Sequence, residues 1–148
     1  MWTCDGKPKL FKKYGLSHKH PMLNYILVAL GGGVGAVARY VVGSQMTRTF
    51  GPNWPYGTFT INVLGGLCMG LLVGFLAHRG GVDQERWRLL IGVGVLGGFT
   101  TFSAFSLETA LMIERGQMTA AAVYDAASVG FSVLALFAGL LIARRAFL

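Results

Sequence analysis

Four stretches of this chain run for about twenty residues with almost no charge, close to the length that crosses a ~30 Å hydrocarbon core as a helix. They are Met22 to Val42, interrupted only by Arg39, and Thr58 to Ala77, without any charge. Leu89 to about Ile113 follows, uncharged as far as Leu107, and then Thr119 to Ala143, with Asp125 near its start. In lipid the backbone must satisfy its own hydrogen bonds, so such stretches fold as helices. The connections Gly43–Gly57, His78–Arg88 and Glu114–Met118 are short, polar and hold turn formers such as Gly51-Pro52-Asn53 and Gly80-Gly81. None has room for a separate domain. The expected fold is all-α, with transmembrane helices at about 22–43, 58–77, 88–113 and 118–143 forming one membrane domain over residues 22–148.

Composition narrows the function classes. Charged residues make up 13% of the 148 residues, about half the ~25% usual in soluble domains, which argues against a soluble enzyme. No Walker sequence, HExxH or GxSxG is present, so the chain is expected not to be an enzyme. The two cysteines, Cys4 and Cys68, make no disulfide framework, and no His/Cys cluster suggests zinc. A net charge of +7 would suggest nucleic acid in a soluble protein. Here it sits in the flanks of hydrophobic segments, so lipid rather than nucleic acid is the expected neighbour.

Residues 1–21 differ in kind. They carry Lys7, Lys9, Lys12, Lys13 and Lys19 against one acid, Asp5, and read as a basic, poorly ordered N-terminal extension. The apolar stretch after them is a full span, which favours a retained first helix over a cleaved signal. Met22 is also a possible start. With four spans, the side holding both termini carries ten Lys and Arg residues against three on the other, or five against three without the tail. The tail therefore decides whether orientation is fixed or ambiguous.

Several polar residues fall inside the spans. Asn62, Gly66, Gly70 and Gly74 share one stripe of the second helix, and Gly31, Gly35 and Arg39 one stripe of the first. Small residues at this spacing let membrane helices approach closely, which suffices to explain the glycines. Asn62 is either interhelical glue or a ligand for a permeating species, since a side-chain amide in hydrocarbon needs partners. The run Gly97-Gly98-Phe99-Thr100-Thr101-Phe102-Ser103-Ala104-Phe105-Ser106 is either a kinked helix or a break whose freed carbonyls suit a small cation. Phe102 and Phe105 share a face, as core packing or as ring edges turned toward an anion. Tyr124, Ser128 and Ser132 form a hydroxyl ladder at spacing four, as incidental packing or a lined pathway. Asp125 reads as a helix-start residue, and Glu108 as a structural hydrogen-bonding group. No acid lies centrally in any span, and intramembrane carboxylates usually mark proton and cation pathways. The donors suit a small anion.

The strings Gly31-Gly32-Gly33-Val34-Gly35-Ala36-Val37-Ala38-Arg39-Tyr40, Gly57-Thr58-Phe59-Thr60-Ile61-Asn62-Val63-Leu64-Gly65 and Gly97 to Ser106 resemble the Fluc (CrcB-type) fluoride channels. The resemblance covers about Met22 to Leu148, with the three motifs in order. It implies an antiparallel, dual-topology homodimer in the cell (inner) membrane that passively exports fluoride from the cytoplasm and so protects against its toxicity. It further implies that Asn62, Phe102, Phe105, Tyr124, Ser128 and Ser132 line the fluoride path, with Arg39 near a vestibule. Carbonyls of Gly97 and Thr100 from both copies would hold a structural sodium ion (Na+). Ala104 departs from the Thr common in the TTFSTF run, and the lysine-rich tail lies outside the family core and conflicts with dual topology. A small dual-topology multidrug exporter is the alternative, but it depends on a glutamate in the first helix, and none is present there. A non-transporting membrane scaffold is a third reading.

Overall fold

The computed structural model of the chain describes residues 21–78 and 84–147. The lysine-rich tail and the stretch holding Arg79 and Gly80-Gly81 lie outside them. Four helical spans, Met22–Phe50, Tyr56–His78, Gln84–Glu114 and Met118–Ala146, are long and apolar enough to cross a membrane. We label the elements α1 (Pro21–Phe50), α2 (Tyr56–His78), α3 (Gln84–Trp87), a π-helical segment (Arg88–Leu96), α4 (Gly97–Phe99), α5 (Phe102–Glu114) and α6 (Met118–Phe147). Apolar side chains cover the outside: Val34, Val37, Phe131, Leu134, Phe137 and Leu141 are all exposed. A soluble fold would bury such a surface; a helix facing lipid has no reason to.

The first helix continues past the apolar run that ends at Val42. Its added turns are polar, and the Ser44 and Thr47 hydroxyls donate to the carbonyls of Tyr40 and Gly43, a back-bond that satisfies each of them. It stops where Gly51 takes φ +80° and donates its N–H to Thr47 O at 3.0 Å, with Pro52 next in the chain. The end of α5 is a full Schellman turn. Gly116, at φ +74°, donates to Ile113 O at 2.9 Å, and Gln117 N donates to Met112 O at 2.9 Å.

Packing is dominated by backbone contact along two glycine seams. On α2, a Cβ at Gly66 would meet Ser132 O at 2.5 Å, one at Gly70 would collide with Leu136 O and lie 2.9 Å from Leu140 N, and one at Gly74 would strike Ala143 Cβ. From the other side, Gly139 of α6 abuts Leu67 O. The second seam joins α1 to the third span: Gly31 and Gly35 abut Leu90 O and Val95 O, and a Cβ at Gly98 would lie 2.5 Å from Gly32 O. Without a hydrophobic drive between helices in lipid, this close approach is what makes dispersion sufficient for association.

The third span is not uniform. Its first half is π-helical through Leu96; α4 ends at Phe99, and Thr100 (φ −79°, ψ 157°) and Thr101 (φ −151°, ψ 117°) are extended before α5 begins. The Thr101 side chain caps α5 by accepting from Ala104 N at 3.3 Å.

Candidate functional site

A cleft of about 290 Å³ opens where α2, the extended pair and α6 meet, lined by Asn62, Thr100, Thr101, Phe102, Phe105, Ser128, Val129, Ser132 and Val133. Five residues expected to share a pathway thus come together from three separate spans: Asn62, Phe102, Phe105, Ser128 and Ser132. Among the described residues, no acidic or basic side chain lines it.

Its polar groups divide into spent and unspent. Asn62 Oδ1 accepts from Thr101 N at 3.1 Å, and Asn62 Nδ2 donates to Thr101 O at 3.4 Å. The amide therefore clamps both polar groups of one extended residue. A primary amide has two N–H donors, so one remains for the cleft. The Ser128 and Ser132 hydroxyls are both buried; that of Ser132 has no hydrogen-bond partner, and that of Ser128 lies within interacting range of the Tyr124 hydroxyl. Membrane serines commonly back-bond to a carbonyl one turn earlier; these two do not. An unsatisfied buried hydroxyl is costly, so that of Ser132, beside a cleft and on one stripe with Ser128, points to a polar visitor.

The aromatic residues form the cleft's other wall. Phe102 and Phe105 stack at 5.5 Å between centroids, tilted by 40°. Phe102 is 77% exposed, so its ring stands at the surface of a single copy. Phe105 packs in turn against Tyr124 at 5.3 Å.

Tyr124 is placed differently from its two ladder partners. Fully buried, it does not line the cleft; its hydroxyl donates to Glu108 Oε2 at 2.8 Å, and Thr58 Oγ1 donates to Glu108 Oε1 at 2.7 Å. Both oxygens of Glu108 are thus held by hydroxyls, a structural use of an intramembrane carboxyl group. Asp125 lies within α6 rather than at its start, and accepts from Thr109 Oγ1 at 2.6 Å. The Glu108 network gives a specific expectation: Tyr124→Phe keeps the ring packing and removes one donor, lowering stability by about 1 kcal/mol. Thermal unfolding in detergent would show it; an unchanged midpoint would mean that the bond contributes nothing net.

A second cavity of about 390 Å³ lies between α1, the α1–α2 loop, α2 and α5, and Arg39, Arg115, Glu108, Thr58, Trp54 and Thr101 are among its lining residues. Thr101 lines both cavities. Arg39 therefore lies beside the neighbouring cavity rather than in the polar cleft. Trp54, which drew no attention as sequence, is the hub of this region: its ring lies 4.8 Å from Tyr56, 5.4 Å from Phe59 and 5.3 Å edge-on from Tyr124. Its one sequence cue is a bulky aromatic in a turn of Gly and Pro. Nothing in the pattern announces Thr58 either, which lies 50 residues from Glu108 in the chain.

Gly97 opens α4, and Thr100 is the first of the two extended residues that follow it. The Thr101 N–H, which would bond Gly97 O in a continuous helix, is taken by Asn62, and the Ala104 N–H, which would bond Thr100 O, is taken by Thr101 Oγ1. Neither carbonyl keeps its regular helical donor. Among the described residues no group of three or more His, Cys, Asp or Glu side chains could hold a metal.

Four apolar helices long enough to cross a membrane, three of which contribute to a cleft holding polar side chains, define a multi-pass integral membrane protein. The chain belongs to the family described as CrcB-like protein, Camphor Resistance (CrcB), whose family model matches residues 26–140. Among its relatives, the fluoride-specific ion channel FluC of a Caulobacter species is 65% identical over 126 residues, 85% of this chain and 98% of that protein. The FluC of Phenylobacterium zucineum is 65% identical over 122 residues, 82% of this chain and 96% of that one. A FluC of Nitrobacter hamburgensis is 53% identical over 123 residues, 83% and 98% of the two chains.

Proposed function

We propose that this chain is a fluoride-selective channel of the inner membrane, which lets fluoride leave the cytoplasm down its electrochemical gradient and so relieves its toxicity. The observation that carries the reading is the pair of buried hydroxyls, Ser132 unpartnered and Ser128 beside it on the stripe, on the wall of a cleft that no acid among the described residues lines. Family membership and relatives named as fluoride-specific channels support it.

Transport then needs no covalent step. Fluoride sheds water in stages as the Ser128 and Ser132 hydroxyls and the free Asn62 N–H replace it, with the electropositive ring edges of Phe102 and Phe105 between. Fixed donors in a narrow path favour the smallest halide over chloride. Tyr124 contributes through Phe105, whose ring it supports. Arg39, beside the neighbouring cavity, raises local anion concentration near the entrance.

Two copies complete the path in this reading. The cleft is open on the side where Phe102 is exposed, and a second copy in antiparallel orientation closes it. The extended pair Thr100-Thr101 is the functional break in the third helix. Sodium fits the residues there, because the released carbonyls of Gly97 and Thr100 are hard oxygen ligands suited to a small cation. When bound, the ion supplies positive charge that ties the two copies together at their centre.

Purified protein in liposomes, followed with a fluoride electrode and compared with chloride, tests the reading. Fast fluoride release with little chloride release is expected; equal rates would end the selectivity claim. A scaffold would release neither ion, and an exporter driven from the first helix lacks its carboxylate, since α1 holds no acid.

Orientation supplies another expectation. A chain begun at Met22 has a charge bias of only five against three and inserts both ways, whereas the full chain, at ten against three, inserts mainly with its N-terminus inside. Labelling a single cysteine at the C-terminus from each side of the membrane reads this out. Equal labelling of the full chain from both sides would show that the tail does not set topology.

A further inference from the structure

The extended pair between α4 and α5 is held against α2 at two points, and only one of them is a hydrogen bond. Asn62 grips Thr101 through the two bonds already described. The other point is Gly65. It does not belong to the seam with α6, as Gly66, Gly70 and Gly74 do; it faces the third span. A Cβ there would overlap Thr100 Cγ2 and lie 3.7 Å from both Thr100 Cβ and Phe99 Cδ1.

Thr100 cannot turn that methyl aside cheaply. Its Oγ1 donates to Leu96 O at 3.0 Å, and its own N–H donates to the same carbonyl at 3.0 Å. A β-branched side chain is stiff at χ1, and rotating it away would break the hydroxyl bond. A methyl group added at Gly65 must therefore displace Thr100 as a unit, and its carbonyl with it.

We propose that Gly65 is a positioning residue for the pore: its missing side chain is the seat for the Thr100 methyl, and that seat sets the direction of the Thr100 carbonyl. The consequence for conduction rests on the channel reading above; the seat itself does not. The identity of the clashing atom makes the idea testable, because serine at position 100 lacks Cγ2 and keeps the hydroxyl that bonds Leu96.

The test is the four-way comparison of the parent chain, Gly65→Ala, Thr100→Ser and the double variant. Fluoride efflux from liposomes is one readout, and thermal unfolding in sodium against N-methylglucamine is the other. Gly65→Ala is expected to cut efflux about tenfold with Thr100 present, as overpacking at a close contact does, and to shrink the sodium-dependent rise in melting temperature. In the Thr100→Ser background the same change should have little effect on either, because the two residues are coupled. General loss of packing would lower the melting temperature without altering the sodium increment. If Gly65→Ala behaves like the parent, or serine at position 100 fails to restore it, the proposal is wrong. Should the single alanine variant not fold, a folded double variant supports the seat and an unfolded one overturns it. A parent chain that releases no fluoride would sink the channel reading alone, and the melting comparison would still decide on the seat.

Discussion

Replacing Asn62 with alanine is expected to lower fluoride efflux by about one to two orders of magnitude, and to destabilise the fold as well. The residue has two duties, and both depend on its amide. Its Oδ1 and Nδ2 hold the N–H and carbonyl of Thr101 at 3.1 and 3.4 Å. Thr101 is only 8% exposed, so loss of the clamp leaves its N–H unsatisfied in an apolar setting, at roughly 1–3 kcal/mol, while its carbonyl, at the N-cap of α5, keeps the first intrahelical bond. The remaining N–H, which the proposed path uses, vanishes in the same substitution. Asn62→Asp separates the duties. An aspartate still accepts from Thr101 N but offers no N–H, and it places negative charge beside the path. That variant should fold, by size-exclusion profile and melting temperature, and pass almost no fluoride. Near-normal efflux from Asn62→Asp would show that Asn62 acts as clamp only.

The second large effect is expected at Gly70. A Cβ there would collide with Leu136 O and lie 2.9 Å from Leu140 N. These are main-chain atoms that no change of rotamer can move. Alanine should cost roughly 1–3 kcal/mol through forced separation of α2 and α6, and leucine should prevent the seam from forming. The measure is the yield of monodisperse protein in detergent together with its melting temperature; a leucine variant that purifies and melts normally would show that α2 and α6 do not meet there. Gly32, Gly33 and Gly130 provide the contrast, because an added Cβ meets nothing within 4 Å at any of them. Alanine at these positions should fold as a single copy does, so a loss confined to one of them would locate a contact between copies.

Much of this was legible in the sequence, and the parts that were not share a physical cause. The four spans follow from missing charge, because a bilayer penalises charge in a way no single contact does. The glycine seams follow from spacing four, which sets small residues on one side of a helix. The cleft residues were readable as polar groups in apolar runs, yet their companionship was not, since Asn62, Phe102 and Ser132 belong to different spans. Tyr124 shows the limit most clearly. Spacing places it on the stripe of Ser128 and Ser132, but a phenol reaches much farther than a serine hydroxyl, and its oxygen ends on Glu108 instead. The length of α1 was understated because hydropathy fades at Gly43, while the helix itself runs on to Phe50 with its Ser44 and Thr47 hydroxyls bonded back to it. Gly65 illustrates the converse: spacing sets it off the stripe of Gly66, Gly70 and Gly74, yet does not say that Thr100 is what it meets.

The contact of Gly66 with Ser132 O has a consequence for tolerance to larger ions. Ser132 is a wall residue of the cleft, and its main chain rests directly on the main chain of α2. A wall built on side chains can yield by the hop of a rotamer; one seated peptide on peptide has no soft coordinate to give. Its calibre is then fixed by bond lengths and van der Waals radii, so a substitution aimed at admitting chloride should ruin the seam before it widens the hole. Discrimination by size, in such a protein, would be lost together with the fold rather than traded away by degrees.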